Sequence, residues 1–357
     1  MLLVVALLFF AFSGLAVGYN YTYSWSNPKG LPTNLPWQSV SCDVAGNNCV
    51  ISQYRGTASN WAASKNFYSV DGGKSWKEST LQNVSFTQIL SSQNGQYVLA
   101  SGGYFSSDFG ASFGPISLPA GDSSLAINAE ATIVYLVDDT PAHNVYKGQG
   151  SPGQWTWAIL ESMPASLSES WRTISCDATG QYVMTAATVG YIYTSSNYGH
   201  TFTLVNTLQE KNYNLIRSTM SADGKVRYVM VYYPTTGGIF PMVSKDYGAT
   251  WSYTGFAAGS YDTNFATNAD GSMLVVSRDV GNALAVSYNY GEDYHYVMNT
   301  DGDDDDSDDS TSGDNYKYDE GFIMPWLSGD GSKLVAVPGT QNSYYGTWYV
   351  ALGVGSE

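Results

Sequence analysis

Short apolar or alternating runs, such as Tyr182-Val183-Met184-Thr185-Ala186 and Leu274-Val275-Val276-Ser277, recur along the chain between clusters of Gly, Asp, Asn and Ser. Runs of this kind bounded by turn residues predict β-strands. Each is preceded by a tight turn, and six of the turns are easily seen: Val44-Ala45-Gly46, Gln93-Asn94-Gly95, Ala178-Thr179-Gly180, Ala222-Asp223-Gly224, Ala269-Asp270-Gly271 and Gly329-Asp330-Gly331. A degenerate copy, Ala129-Glu130-Ala131, makes seven. Their spacing of 49, 36, 49, 44, 47 and 60 residues is the mark of a repeat architecture.

A second landmark runs through the same repeats. Ser244-Lys245-Asp246-Tyr247-Gly248-Ala249-Thr250-Trp251 has the frame Ser, any, Asp, any, Gly, any, Ser or Thr, aromatic. Ser69 to Trp76 fits it equally well; Ser106 to Phe113 and Ser195 to Phe202 are close variants, and Ser287 to Tyr294 is a worn one. The residues to watch are Asp71, Asp108, Asn197, Asp246 and Asn289. A short Asp or Asn side chain accepts backbone N–H groups in a turn, and the Gly supplies a positive φ.

Each repeat therefore reads strand A, tight turn, strand B, loop, strand C, eight-residue turn, strand D. Four antiparallel strands in roughly 45 residues make a propeller blade. The expected fold is all-β, a seven-bladed β-propeller of four-stranded antiparallel blades. Blades are expected at Trp37–Lys77, Phe86–Pro115, Ser124–Trp157, Trp171–Leu204, Asn214–Tyr253 and Asn264–Tyr296. In the third, Gly148 to Trp157 stands in for the missing eight-residue turn. The seventh starts at Phe322, takes Leu334–Val337 and Thr347–Val350 as later strands, and is one strand short. Tyr19 to Trp25 is expected to pair with these C-terminal strands and close the ring, removing an exposed edge.

The eight-residue frame resembles the Asp-box, or BNR repeat, of sialidases, xyloglucan hydrolases, sortilin-type receptors and plant photosystem II assembly factors. The resemblance implies a propeller. It leaves function open, because members of that superfamily do many things on one scaffold.

Composition narrows the field. Charged residues are 13% of the chain and aromatics 15%, so the surface is built mainly of Ser, Thr, Asn, Gly and Tyr. A net charge of −16 excludes nucleic acid as an expected partner, since that needs a basic stripe. Eight Asp and no Lys or Arg lie between Asp301 and Asp314, within an acidic loop expected over 299–321. Asp301, Asp303 and Asp305 are its candidate Ca2+ ligands, though the spacing of an EF-hand loop is absent. No other cofactor is expected.

Residues 1–18 read as a secretory signal peptide, with an apolar run from Leu2 to Phe12 and small residues at Ala16 and Gly18. The mature protein, 19–357, is expected to be a single secreted propeller without a transmembrane anchor, and a monomer. An oxidising compartment suits a disulfide between Cys42 and Cys49, which bracket the first turn. Cys176 takes the place of Cys42 in a later repeat, but Val183 stands where its partner would be, so a free thiol is expected. Asn20-Tyr21-Thr22 and Asn83-Val84-Ser85 are glycosylation sequons.

Topology separates the candidate chemistry. The A–B and C–D turns share one face; the variable B–C and D–A loops share the other, where binding usually resides. On that loop face Arg55, Trp61, His143, Tyr232, Tyr233, Arg278, Tyr344 and Tyr345 are the candidate ligand-binding residues. The reading is a non-catalytic propeller binding a glycan or an extracellular protein there. The enzyme alternative is a glycoside hydrolase using carboxylates among Asp138, Asp139, Glu161, Glu169 and Asp279, which need no sequence signature. Sialidase chemistry would need an arginine triad, and beyond residue 18 there are five arginines: Arg55, Arg172, Arg217, Arg227 and Arg278. An assembly factor of the photosystem II type is the third class, and it would need a plastid or thylakoid address.

Overall fold

The computed structural model describes residues 22–26, 28–32, 37–53, 64–138, 144–161, 163, 171–187, 190–205, 214–232, 238–256, 264–278, 283–298, 321–340 and 351–356. A strand, β1 (Thr22–Ser26), precedes the first blade, which is β2 (Trp37–Cys42), β3 (Cys49–Gln53), β4 (Lys65–Ser69) and β5 (Lys77–Gln82). The second is β6 (Ile89–Ser91), β7 (Val98–Ala100), β8 (Tyr104–Ser106) and β9 (Gly114–Pro115). The third is β10 (Asp122–Ile127), β11 (Ile133–Asp138), β12 (Val145–Ser151) and β13 (Gln154–Ile159). The fourth is β14 (Trp171–Cys176), β15 (Val183–Ala187), β16 (Ile192–Ser195) and β17 (Thr203–Val205). The fifth is β18 (Asn214–Met220), β19 (Arg227–Tyr232), β20 (Ile239–Ser244) and β21 (Ser252–Tyr253). The sixth is β22 (Phe265–Thr267), β23 (Leu274–Arg278), β24 (Ala283–Ser287) and β25 (His295–Met298). The last strands are β26 (Gly321–Leu327), β27 (Lys333–Thr340) and β28 (Ala351–Ser356).

All strands pair antiparallel within seven four-stranded sheets, and the last has the order β1-β28-β27-β26. Six sheets are blades complete in one stretch of chain, and the seven-bladed expectation is corrected to six such blades plus one sheet shared by the two chain ends. The means of closure is corrected too. β1 runs beside β28 from Thr22↔Ser356 to Ser26↔Leu352, but it is the outermost strand of its sheet. The links that join the last sheet to the first lie nearer the axis, where β26 and β27 pack against β2. There the Gly329 amide donates to the Val44 carbonyl at 2.7 Å.

The last sheet takes Ala351–Ser356 as a strand, and the expected Thr347–Val350 lies outside the described residues. Gly353 and Gly355 stand opposite Trp25 and Tyr23, so small residues occupy places where a strand signature would call for branched ones.

The core follows the same plan. Seven hydrophobic clusters are found among the described residues, one at each contact between neighbouring sheets. The second strand of each blade supplies the largest share of them, as the wholly buried β11 and β15 show. The cluster at the seam joins Trp37, Cys42, Cys49, Ile51 and Phe67 of the first blade to Met324, Val335 and Val337 of the last sheet. Cys42 and Cys49 form the expected disulfide within it. No helix among the described residues is long and apolar enough to cross a membrane.

Candidate functional site

The turn face is the better described of the two, and its geometry begins with the seven A–B turns. Each opens on a small polar residue, Asp43, Ser92, Asn128, Asp177, Ser221, Asn268 or Ser328. In all seven, that side chain accepts the amide four or five residues on: Asn47 donates to Asp43 at 2.7 Å, Val226 to Ser221 at 2.9 Å and Met273 to Asn268 at 3.0 Å. Tyr97, Ile133, Tyr182 and Lys333 do the same for the others. The fourth residue has a positive φ in every copy, from 55° at Ala131 to 79° at Gly180. Sequence reading located these turns by the fourth residue and missed the first, although the shared Asp, Asn or Ser was visible.

The second residues form a closed circuit. Val44 donates its amide to Gln93, Gln93 to Ala129, Ala129 to Ala178, Ala178 to Ala222, Ala222 to Ala269, Ala269 to Gly329 and Gly329 back to Val44, at 2.7 to 3.1 Å. This annulus surrounds an axial depression of about 250 Å3, lined by Cys176, Ser221, Asn268 and Trp326 among others. The free, half-buried Cys176 sits at its wall, and burial followed by the nearby Asp177 carboxylate pushes its thiol pKa up, which leaves it a poor nucleophile.

Outside this ring stand the eight-residue turns. In the Ser69 copy the Ser69 hydroxyl donates to Asp71 Oδ1 at 2.8 Å and accepts the Gly73 amide at 2.9 Å. Asp71 also accepts the Ser75 amide at 2.9 Å and the Ser75 hydroxyl at 2.5 Å. The Ser106 and Ser244 copies repeat all four bonds. In the Ser195 copy Asn197 instead donates its amide nitrogen to the Thr201 hydroxyl at 2.9 Å. The worn copy loses nothing, because Asn289 donates to the Asp293 carboxylate at 2.9 Å; donor and acceptor have exchanged places. The blade-three hairpin, which lacks the frame, is tied down by Trp155 Nε1 donating to the Ala131 carbonyl at 2.9 Å.

These turns fix the charge state of their acids. Burial pushes Asp71, Asp108 and Asp246 up, but the hydroxyl and amide of the seventh residue and the hydroxyl of the first outweigh it and hold all three below the usual carboxylate range. Their stabilisation is therefore complete above the unfolded carboxylate pKa and is lost as the pH falls through the lowered folded values. Replacing all three by Asn, as Asn197 and Asn289 already do, is expected to flatten the fall in Tm below about pH 4, measured by calorimetry against the wild type.

The fourth residue of the frame carries the clearest local cost. Phe109, Tyr198, Tyr247 and Tyr290 all adopt φ between 58° and 63°, where Gly72 serves in the Ser69 copy. A non-glycine residue there costs roughly 1–2 kcal/mol. Their amides reach inward to the A–B turns of their own blades, Tyr247 N to Lys225 O at 3.0 Å for example. Tyr198 and Tyr247 remain 36% and 41% exposed, and the other two are half-buried. The Lys245 ammonium lies over the Tyr290 ring at 4.6 Å, and the Tyr247 and Tyr182 rings pack at 4.8 Å.

Four of the residues singled out on the loop face lie among the described residues. Asp138 is buried at the end of β11, its backbone amide bonded to Asn144 O, and Glu161 is exposed in the turn after β13. Tyr232 closes β19 half-buried, and Arg278 ends β23. Arg55, Trp61, Asp139, His143, Glu169, Tyr233, Asp279, Tyr344, Tyr345 and the acidic loop with Asp301, Asp303 and Asp305 lie outside the described residues, as do residues 1–18 and Asn20. Among the described residues no three His, Cys, Asp or Glu side chains gather as a metal site. Asn83 is exposed, as a sequon asparagine must be.

Sequence reading gave Arg227 no role. It is 1% exposed, at the start of β19, and burial pushes its pKa down to about 10 despite the nearby Asp177. Beside it, between the fourth and fifth blades, a cavity of about 460 Å3 opens on the turn face.

The sequence matches no family model and no curated protein. Solved structures do resemble the chain. YCF48 bound to a D1 peptide is 14% identical, with 96% of this chain and 97% of that one covered and a TM-score of 0.56. YCF48 from Cyanidioschyzon merolae is 14% identical over 92% and 98%, with a TM-score of 0.55. The β-propeller domain of Myceliophteria thermophila Cps50 (Swd1) is 10% identical over 95% and 100%, with a TM-score of 0.60. At these identities the likeness is one of fold, and with the sheet order above it makes the chain a β-propeller over nearly its whole length.

Proposed function

We propose that this protein is an exported, non-catalytic β-propeller that binds an extended segment of a protein partner on its turn face. The observation that carries the reading is the set of four aromatic residues held at positive φ around that face, Phe109, Tyr198, Tyr247 and Tyr290. Backbone strain retained at positions that stay exposed or half-buried points to use rather than to stability, and rigid aromatics are favoured anchors in protein recognition. The acids of the same face argue against general-acid chemistry there, because their own turns keep them ionised and occupied. YCF48, a propeller of matching span, binds a D1 peptide, which supports a peptide ligand over a glycan. Export rests on the apolar N-terminal run and the disulfide.

The test is a displayed peptide library selected against the protein, run beside a glycan array. Selected peptides are expected to bind the wild type and to lose about tenfold or more in affinity, one hot-spot's worth, when all four aromatics become Asn. Asn tolerates left-handed backbone, so that variant stays folded. Binding unchanged in the variant, or ligands found only among glycans, overturns the proposal.

A further inference from the structure

Aligning the seven A–B turns on their first residue places Cys49, Val98, Val134, Val183, Arg227, Leu274 and Leu334 at one equivalent position, the start of the second strand. All seven are at most 1% exposed, and six are apolar. The fold asks for an apolar side chain there, and charged groups are rarely so buried unless paired. Arg227 is the departure.

Its surroundings do not compensate it. Nε donates to Gly224 O at 2.9 Å, and the guanidinium lies 5.8 Å from the centre of the Tyr182 ring. Nη1 has no hydrogen-bond partner, and Arg227 forms no ion pair among the described residues. Asp177 and Asp246 act on it only at a distance, and both are satisfied within their own turns. A buried cation left in this way is unfavourable unless a counter-ion arrives. The neighbouring cavity of about 460 Å3 is lined by Arg227 itself, by the Thr194, Ser196, Thr201 and Thr203 side chains and by Tyr247.

We propose that this cavity binds a carboxylate group, held by the free edge of the Arg227 guanidinium. With Nε spent on Gly224, the terminal nitrogens are left to meet one planar anion. Asp246 lines the same cavity, which favours a singly charged carboxylate over a doubly charged phosphate. The site is independent of the aromatic anchors as a group, since changing Arg227 leaves all four in place.

The experiment measures Tm and calorimetric binding on the full chain in acetate, glucuronate, N-acetylglutamate, inorganic phosphate and chloride at fixed ionic strength. Carboxylates are expected to bind and raise Tm above the chloride value, and the tighter of glucuronate and N-acetylglutamate tells whether the group comes on a sugar or a peptide. Arg227→Leu, which restores the residue type of the other six positions, is expected to fold with an unchanged or higher Tm in chloride and to weaken carboxylate binding at least about tenfold. Thr203→Trp, at an exposed strand position, fills the cavity with Arg227 intact and is expected to abolish binding. Carboxylates that stabilise Arg227→Leu as much as wild type, a wild type that does not distinguish them from chloride, or binding of phosphate alone overturns the proposal.

Discussion

Alanine at Gly271 is expected to destabilise the protein by roughly 3 kcal/mol, read as a lower urea midpoint at unchanged slope. Two penalties act together. The residue has φ 77°, where an L side chain is strained, and a Cβ built there would stand 2.5 Å from the Val226 Cβ of the preceding blade. Neither can relax cheaply, because the Gly271 carbonyl is held by the buried Tyr228 hydroxyl at 2.8 Å and its amide by Asn268 O at 3.2 Å. Blade three supplies the control. Ala131 already occupies the equivalent position at φ 55°, fully buried, so Ala131→Gly exchanges relieved strain for lost packing and should change stability by less than about 1 kcal/mol.

Truncating Trp37 to alanine should cost about 3–5 kcal/mol, as for large aromatic deletions elsewhere. Trp37 is 1% exposed and meets Phe67 edge-to-face with centroids 5.7 Å apart. Its cluster is the one that spans the seam, so the loss falls on the contact between the first blade and the last sheet rather than within a blade. Hydrogen exchange should accordingly rise first in β2 and β26, before the third and fourth blades respond. Equal protection loss in every blade would show that the seam is not a separate unit.

The repeat was legible because tight turns advertise themselves. Most positions that need a positive φ are filled by Gly, and the acceptors beside them by Asp, Asn or Ser, so the period of the repeat could be read from residue type alone. Three things could not. β28 carries glycines where it faces β1, a cross-strand requirement that no local pattern announces. The worn copy at Asn289 keeps its bonds through an exchange of donor and acceptor, which reads as decay until both partners are seen. Arg227 looks like any basic residue following a turn, and its oddity emerges only when seven equivalent positions are compared.

The composite last sheet also sets an order of events during synthesis. Blades drawn from one stretch can assemble as soon as their own residues leave the ribosome, each closing loops of a few tens of residues. β1 is made first and must wait, unpaired, until its neighbour some 330 positions later has emerged. Docking of β1 onto β28 should therefore be a late, long-range step that starts only once residues 351–356 have been made.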